Sequence, residues 1–210
     1  MGIIVRPLTP ERWPDVEAIF GARGCSVARG CWCMFYRRSG EAPLPPRGKT
    51  RAQANRASLK ALAKSYPPAG LIGYRGRVPV GWISLGPREA YRKLERSPVM
   101  KPVDDKPVWS IVCFVVPSEF RGQGVAKALL EGAIAHAKKR AVQCLEAYPV
   151  DKPARLPDDS LWFGTKSMYD AAGFEEVARR RPARPVMRLA LAIRRSGQAG
   201  RSPVSRRGFP

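Results

Sequence analysis

The stretch 108–130 constrains this chain most. It runs VWSIVCFVV, then PSEFRGQG, then VAKALL. The first nine residues carry no charge and are rich in β-branched and aromatic side chains, which suits a buried strand. From 122 to 140 there is no proline, and Val125, Leu129, Ala133 and Ala137 recur at helical spacing. Gly122 and Gly124 lie between the two segments. Glycine reaches positive φ without strain, and its missing Cβ lets a ligand approach the backbone. The first amides of a helix lack intrahelical partners and sit at the positive end of its dipole. Strand, glycine turn and helix in succession therefore make either a phosphate site or simply a tight corner.

The rest of the chain supplies a framework for that unit. IIVRPL at 3–8 reads as a strand, and a helix starts near Thr9 with Pro10 in its first turn. Trp13, Val16, Ile19 and Phe20 give that helix an apolar face, and Gly21 and Gly24 end it. A segment rich in cysteine and aromatics follows, then a Pro-rich loop and a basic helix over 49–65. GLIGYRGRVPVGWISLGP predicts two strands around a turn at Arg75-Gly76. REAYRKLERS predicts a short helical turn. After the 108–140 unit, VQCLEAYPV predicts a strand, a short helix ends at Gly173, and two strands close the body. The expected class is mixed α/β in one continuous layer, a single domain over 1–193.

With 210 residues, 44% of them hydrophobic, the chain can bury a core. No apolar run nears the roughly 20 residues that span a membrane. No basic, then apolar, leader opens the chain, so the expected location is the cytoplasm. The five cysteines are odd in number and irregularly spaced. Reduced thiols are expected, and no metal site, because CWC at 31–33 lacks the remaining ligands of a zinc centre. Net charge is +21, and removing the five arginines of 194–210 leaves +16. That terminal segment is Gly/Ser/Pro-rich and reads as a disordered basic tail. A basic body favours polyanionic ligands without choosing among them.

Three phosphate-loop patterns compete for residues 121–126. Nothing fits GxxxxGK[ST]. The dinucleotide pattern GxGxxG finds Gly122 and Gly124, but Lys127 stands at its third glycine. Glu146 lies about 20 residues further on, as that pattern asks, yet the meander before 110 does not match a repeated βαβ sheet. RGQGVA, Arg121 to Ala126, resembles the [RQ]xxGx[GA] signature of the GNAT acetyltransferase superfamily. MYDAAGFEEV at 168–177 resembles the same superfamily's late helix, LYexxGFxxv, in the expected order.

The resemblance covers roughly residues 3–192 and implies the GNAT fold, a splayed mixed sheet with helices on both faces. It implies an N-acetyltransferase that uses acetyl-CoA as co-substrate. The backbone of Phe114, Val115 and Val116 would pair with the pantetheine arm as an added strand. Arg121, Gly122, Gln123, Gly124, Val125 and Ala126 would hold the pyrophosphate, and Lys127 could add charge. Tyr169 stands at the family's usual acid position, where it would protonate the leaving thiolate. A half-buried packing tyrosine is the alternative there. Glu146 is the first candidate for the base, with Asp104, Asp105 or a water relay behind it. Trp162 stands where many members carry a cofactor-binding asparagine. His136 reads as a surface residue.

Trp32, Phe35 and Tyr36 could wall an acceptor pocket or pack in the core. The excess of Arg and Lys would repel a polycationic acceptor. The expected partner is therefore a neutral or anionic small-molecule amine or a peptide N-terminus, with a homodimer compatible with the reading. The alternative is a non-catalytic acyl-CoA sensor or nucleic-acid-binding protein. No membrane partner is expected.

Overall fold

The computed structural model describes residues 2–38, 45, 47–151 and 161–191. The tail expected over 194–210, and most of the Pro-rich loop, lie outside the described residues. Seven strands form one sheet: β1 Ile3–Pro7, β2 Leu71–Arg75, β3 Val78–Pro87, β4 Trp109–Val115, β5 Cys144–Ala147, β6 Glu175–Arg181 and β7 Arg184–Ala190. Their order is β1-β2-β3-β4-β5-β7-β6. Every neighbouring pair is antiparallel except β4 and β5. The helices are α1 Trp13–Gly21, α2 Ser26–Cys31, α3 Arg51–Ala61, α4 Arg92–Glu95, α5 Val125–Lys139 and α6 Lys166–Ala171. Among the described residues no helix is long and apolar enough to cross a membrane.

Alternation along the strands sends residues to two cores. Ile83 faces the core that holds Val125, Leu129, Ala133 and Ala137 of α5, whereas the adjacent Trp82 faces the core built on Trp13, Val16, Ile19 and Phe20 of α1. The sheet thus carries helices on both faces, and all four positions of each expected apolar stripe are buried. α3 is held at its start by a capping box between Thr50 and Gln53. It ends earlier than the expected helix, because the last turn tightens to a 3-10 helix at Leu62–Lys64.

α2 does not stand out in the sequence. It has six residues and no side-chain cap, and it stops where Trp32 turns left-handed at φ 49°. His136 also differs from expectation. It is half-buried, its ring lies 6.3 Å from Trp109, and its Nε2 is buried without a partner. Burial, then Arg140 and Lys139, lower its pKa to about 4. The folded protein therefore takes up this proton less readily than the unfolded chain. Its contribution to stability is intact above pH 6.5 and is lost as pH falls from 6.5 towards 4. A melting series should show that loss, and His136→Gln should reduce the slope in that window; an unchanged slope would refute the assignment.

β4 and β5 pair at only three positions, Trp109 with Leu145, Ser110 with Glu146, and Ile111 with Ala147. Beyond Ile111 they part. A bulge lies at the same place: Ser84 opposes Cys113 while Leu85 opposes Ile111, which leaves Val112 as an extra residue on β4. Bulges bend a strand and re-aim its side chains. Here the bulge turns the end of β4 out of the ladder with β5 and opens a gap.

Candidate active site

A cavity of about 950 Å³ occupies the gap. One wall is the end of β4, Val112 to Val116. The rim is Arg121, Gly122, Gly124, Val125, Ala126 and Lys127, at the start of α5. The opposite side comes from α2 and the turn after it, with Phe35 and Tyr36, and from Leu161 and Trp162. Sequence segments some 90 residues apart thus meet around one space.

The loop geometry explains both glycines. Gly122 and Gly124 have φ of 70° and 76°, and a Cβ on either would meet no atom within 4 Å. Packing therefore does not demand glycine here; the left-handed backbone does. Both glycines line the cavity, so the start of α5, the positive end of its dipole, borders that space. Arg121, on the rim, also braces the loop. Its Nε donates to the Val116 carbonyl at 3.1 Å and its Nη2 to the Gly24 carbonyl at 2.6 Å. It ties the loop to β4 and to the turn before α2. Gln123 points elsewhere: its Nε2 donates to the Glu119 carbonyl, and its Oε1 accepts from Arg75.

Two expected residues sit differently from the reading above. Trp32 does not wall the cavity. It is buried in the α1-side core, stacked on Phe20 at 4.7 Å and 7° and on Trp13 at 5.8 Å. Stacking two large rings removes more apolar surface from water than a pocket wall would. Glu146 does not reach the cavity either. It is fully buried on β5, accepts from Arg88, from the Tyr148 hydroxyl at 2.6 Å and from Arg188 at 2.8 Å. Arg188 also pairs with Asp104 at 2.8 Å, and the hydrogen bond from Arg188 holds that aspartate's pKa low. These acids clamp the joined end of β4, β5 and β7 below the gap.

Tyr169 is also fully buried. Its hydroxyl donates to the Phe163 carbonyl at 3.1 Å, and burial raises its pKa. Tyr36 is the phenol that lines the cavity, and burial pushes it up to about 12. On the gap edge of β4, the Phe114 amide donates to the Trp162 carbonyl at 2.6 Å. The segment around Trp162 thus partners the edge that an added strand would use. Sequence reasoning missed this contact, because a backbone hydrogen bond leaves no residue-type signal.

Among the described residues, the charged side chains lining the cavity are Arg121 and Lys127. No group of three or more His, Cys, Asp or Glu gathers there, or elsewhere among the described residues, as metal ligands would. The site therefore offers an anion-binding rim, a strand edge partly covered by the Trp162 segment, and an apolar chamber lined by Cys31, Cys33, Cys113 and Tyr36.

No curated protein matches the chain by sequence. Its fold is similar to that of the ribosomal-protein-alanine N-acetyltransferase of Brucella melitensis, at 18% identity over 90% of this chain and 99% of that one, with a TM-score of 0.51. It is likewise similar to an N-acetyltransferase of Staphylococcus aureus Mu50, at 15% identity over 91% and 100%, TM-score 0.50. A third is the paia N-acetyltransferase of Thermoplasma acidophilum in complex with coenzyme A, at 16% identity over 90% and 99%, TM-score 0.50. At these identities the likeness concerns the fold alone. Residues 33–156, which hold β4, the glycine turn and α5, match the acetyltransferase (GNAT) family. With the diverging strands and the glycine-rimmed cavity, that match identifies the chain as a member of the GNAT acetyltransferase family.

Proposed function

We propose that this protein moves an acetyl group from acetyl-CoA directly to a primary amine of a small molecule or peptide. The observation that carries the reading is that one cavity joins the start of α5 to the parting edge of β4. The open space beside Gly122 and Gly124 leaves room for a pyrophosphate against backbone amides. A structural neighbour bound to coenzyme A supports the choice of donor. Bound there, acetyl-CoA supplies a thioester acyl group.

The chain's own groups divide the work. Amides from Gly122 to Ala126 hold the phosphates, with Lys127 adding charge at the exposed rim. The edge of β4 at Phe114 to Val116 aligns the pantetheine arm, which takes the place now held by the Trp162 carbonyl. Phe35 and Tyr36 flank the acceptor. Tyr169 is the acid by its place in the motif alone, because its buried hydroxyl lies outside the cavity lining and donates to the Phe163 carbonyl. Tyr169→Phe separates two outcomes. An acid loses kcat at least tenfold with coenzyme A affinity unchanged, whereas a packing hydroxyl loses about 1 kcal/mol of stability with kcat unchanged.

The acceptor reading rests on charge. Arg121 and Lys127 at the rim disfavour polycations. A peptide α-amino group, with pKa about 7.7–8.0, is partly neutral near pH 7, whereas a lysine amine at about 10.4 is not. A neighbour that acts on a ribosomal-protein alanine supports a peptide N-terminus. The test is calorimetry with acetyl-CoA, then thiol release over a panel of peptides, amino-acid-like amines, spermine and kanamycin. Binding and turnover of a peptide or neutral amine are expected, with kcat/KM rising with pH as the acceptor amine deprotonates. Absence of acetyl-CoA binding ends the enzyme reading, and faster turnover of spermine or kanamycin ends the acceptor reading.

A further inference from the structure

We propose that the α2 side of the cavity is a subsite for a large apolar side chain, so that the acceptor is a peptide N-terminus whose first residue is leucine, phenylalanine or similar. This inference rests on the proposed function and deepens it. Of the seven large hydrophobic side chains exposed among the described residues, three line this one cavity: Val27 at 57%, Phe35 at 53% and Trp162 at 38%. Ile4, Tyr66, Val78 and Val177 do not line it. Single exposed hydrophobics are ordinary on a protein surface, whereas a group of them around one cavity marks a binding site.

The wall of this subsite is already held in place. Val27 belongs to α2, and Phe35 and Tyr36 lie in the turn after it. Phe35 meets Tyr36 edge to face at 5.0 Å, and Tyr36 meets the buried Phe163 at 5.3 Å. α4 secures the same turn. The Lys93 Nζ lies 3.6 Å from the centre of the Phe35 ring, and the Lys93 amide donates to the Tyr36 carbonyl at 3.1 Å. A wall that is ordered beforehand costs little to occupy.

The chemistry of the lining opposes a charged occupant. Beside Val27 and Phe35, this side presents Ala28, Cys31 and Tyr36. Burial raises the pKa of the Cys31 thiol and of the Tyr36 phenol, the latter to about 12, so both stay neutral near pH 7. Among the described residues no Asp or Glu lines the cavity. A lysine side chain would lose its water there and gain no counter-ion. An aspartate would find lining cations at the rim, on Arg121 and Lys127, where the pyrophosphate is assigned. A leucine or phenylalanine side chain instead covers Val27 and Phe35 and removes apolar surface from water. The α-amino group must reach the thioester in this same cavity. The side chain on its own carbon, that of the first residue, is therefore the one brought to this wall.

The test uses the full chain, acetyl-CoA and pentapeptides that differ only in the first residue: Leu, Phe, Ser, Asp or Lys. Thiol release should give kcat/KM at least tenfold higher for the Leu and Phe peptides than for the Ser peptide, with Asp and Lys below Ser. Val27→Ser and Phe35→Ser should each narrow the Leu-to-Ser ratio to less than threefold. Both side chains are exposed, so both variants should fold, which circular dichroism checks. A flat panel, a preference for Asp or Lys, or a ratio unchanged in both variants would overturn the subsite. So would a flat panel with octanoyl-CoA used faster than acetyl-CoA, because the chamber would then house the donor's chain. Calorimetry separates this inference from the reading it rests on. Failure to bind acetyl-CoA tells against the proposed function. The protein alone should still bind the Leu peptide at least tenfold more tightly than the Ser peptide, and equal or undetectable binding of the two would overturn the subsite.

Discussion

Gly124→Asp should weaken acetyl-CoA binding by about 100-fold or more without unfolding the protein. Gly124 caps α5 with φ 76° and ψ 7°, and it borders the cavity. Aspartate is one of the few residues that visits this left-handed region, so the turn can persist. A Cβ there meets no atom of the protein. The new carboxylate would instead enter the space assigned to the pyrophosphate. Hydrogen bonds to a charged group are worth about 1.5–3 kcal/mol. Losing one and adding like-charge repulsion exceeds the roughly 2.7 kcal/mol that corresponds to 100-fold. Gly124→Asn is the control, because it has nearly the same shape and no charge. It should bind much better than the aspartate variant. Equal loss in both would reduce the effect to steric blocking, and full affinity in the aspartate variant would remove the pyrophosphate from this loop. Calorimetry gives the affinities, and circular dichroism reports the fold.

Glu146→Gln should act the other way, through stability. The carboxylate is fully buried and bonded by Arg88, Arg188 and Tyr148. Arg88 is itself buried and also bonds the Tyr148 hydroxyl at 2.6 Å and the Met100 carbonyl at 2.7 Å. Removing the negative charge takes away the buried counter-ion of Arg88 and leaves it only the half-exposed Glu95, at 3.2 Å. Breaking such a pair costs about 3–5 kcal/mol. For a chain of this size each kcal/mol moves Tm by about 2–4 °C, so a fall of about 10 °C is expected by calorimetric melting. The cluster joins β4, β5 and β7 at their paired end, so the strands should part less sharply in the variant. A catalytic base would behave differently, with kcat lost and Tm kept. That outcome would overturn the structural role.

The chemistry that a local pattern encodes was legible in the sequence. The uncharged 108–116 strand, the two glycines and the apolar face of α5 are each a property of neighbouring residues. β4 and α5 carry those features where the pattern places them. The stripe Trp13, Val16, Ile19, Phe20 likewise appears as the buried side of α1. Short elements were less visible. α2 is too short to show a period, and its end depends on how Trp32 stacks. Trp32 had two plausible roles, pocket wall or core, and only the positions of Phe20 and Trp13 separate them.

Side-chain partners at long range were not legible at all. Glu146 has the type and the strand position of a general base, but Arg88, Arg188 and Tyr148 claim it. Tyr169 holds its place in the motif, yet its hydroxyl is directed at the Phe163 carbonyl. The Trp162 carbonyl on the Phe114 amide joins segments that the sequence keeps far apart. The sequence by itself determined the longer elements, the glycine turn and the family, because periodicity, φ preference and residue type are local. Only the tertiary structure decided which polar and thiol groups face the cavity and which are spent on one another. Burial makes an unpaired polar group expensive, so partners are chosen by proximity in the fold rather than by position along the chain.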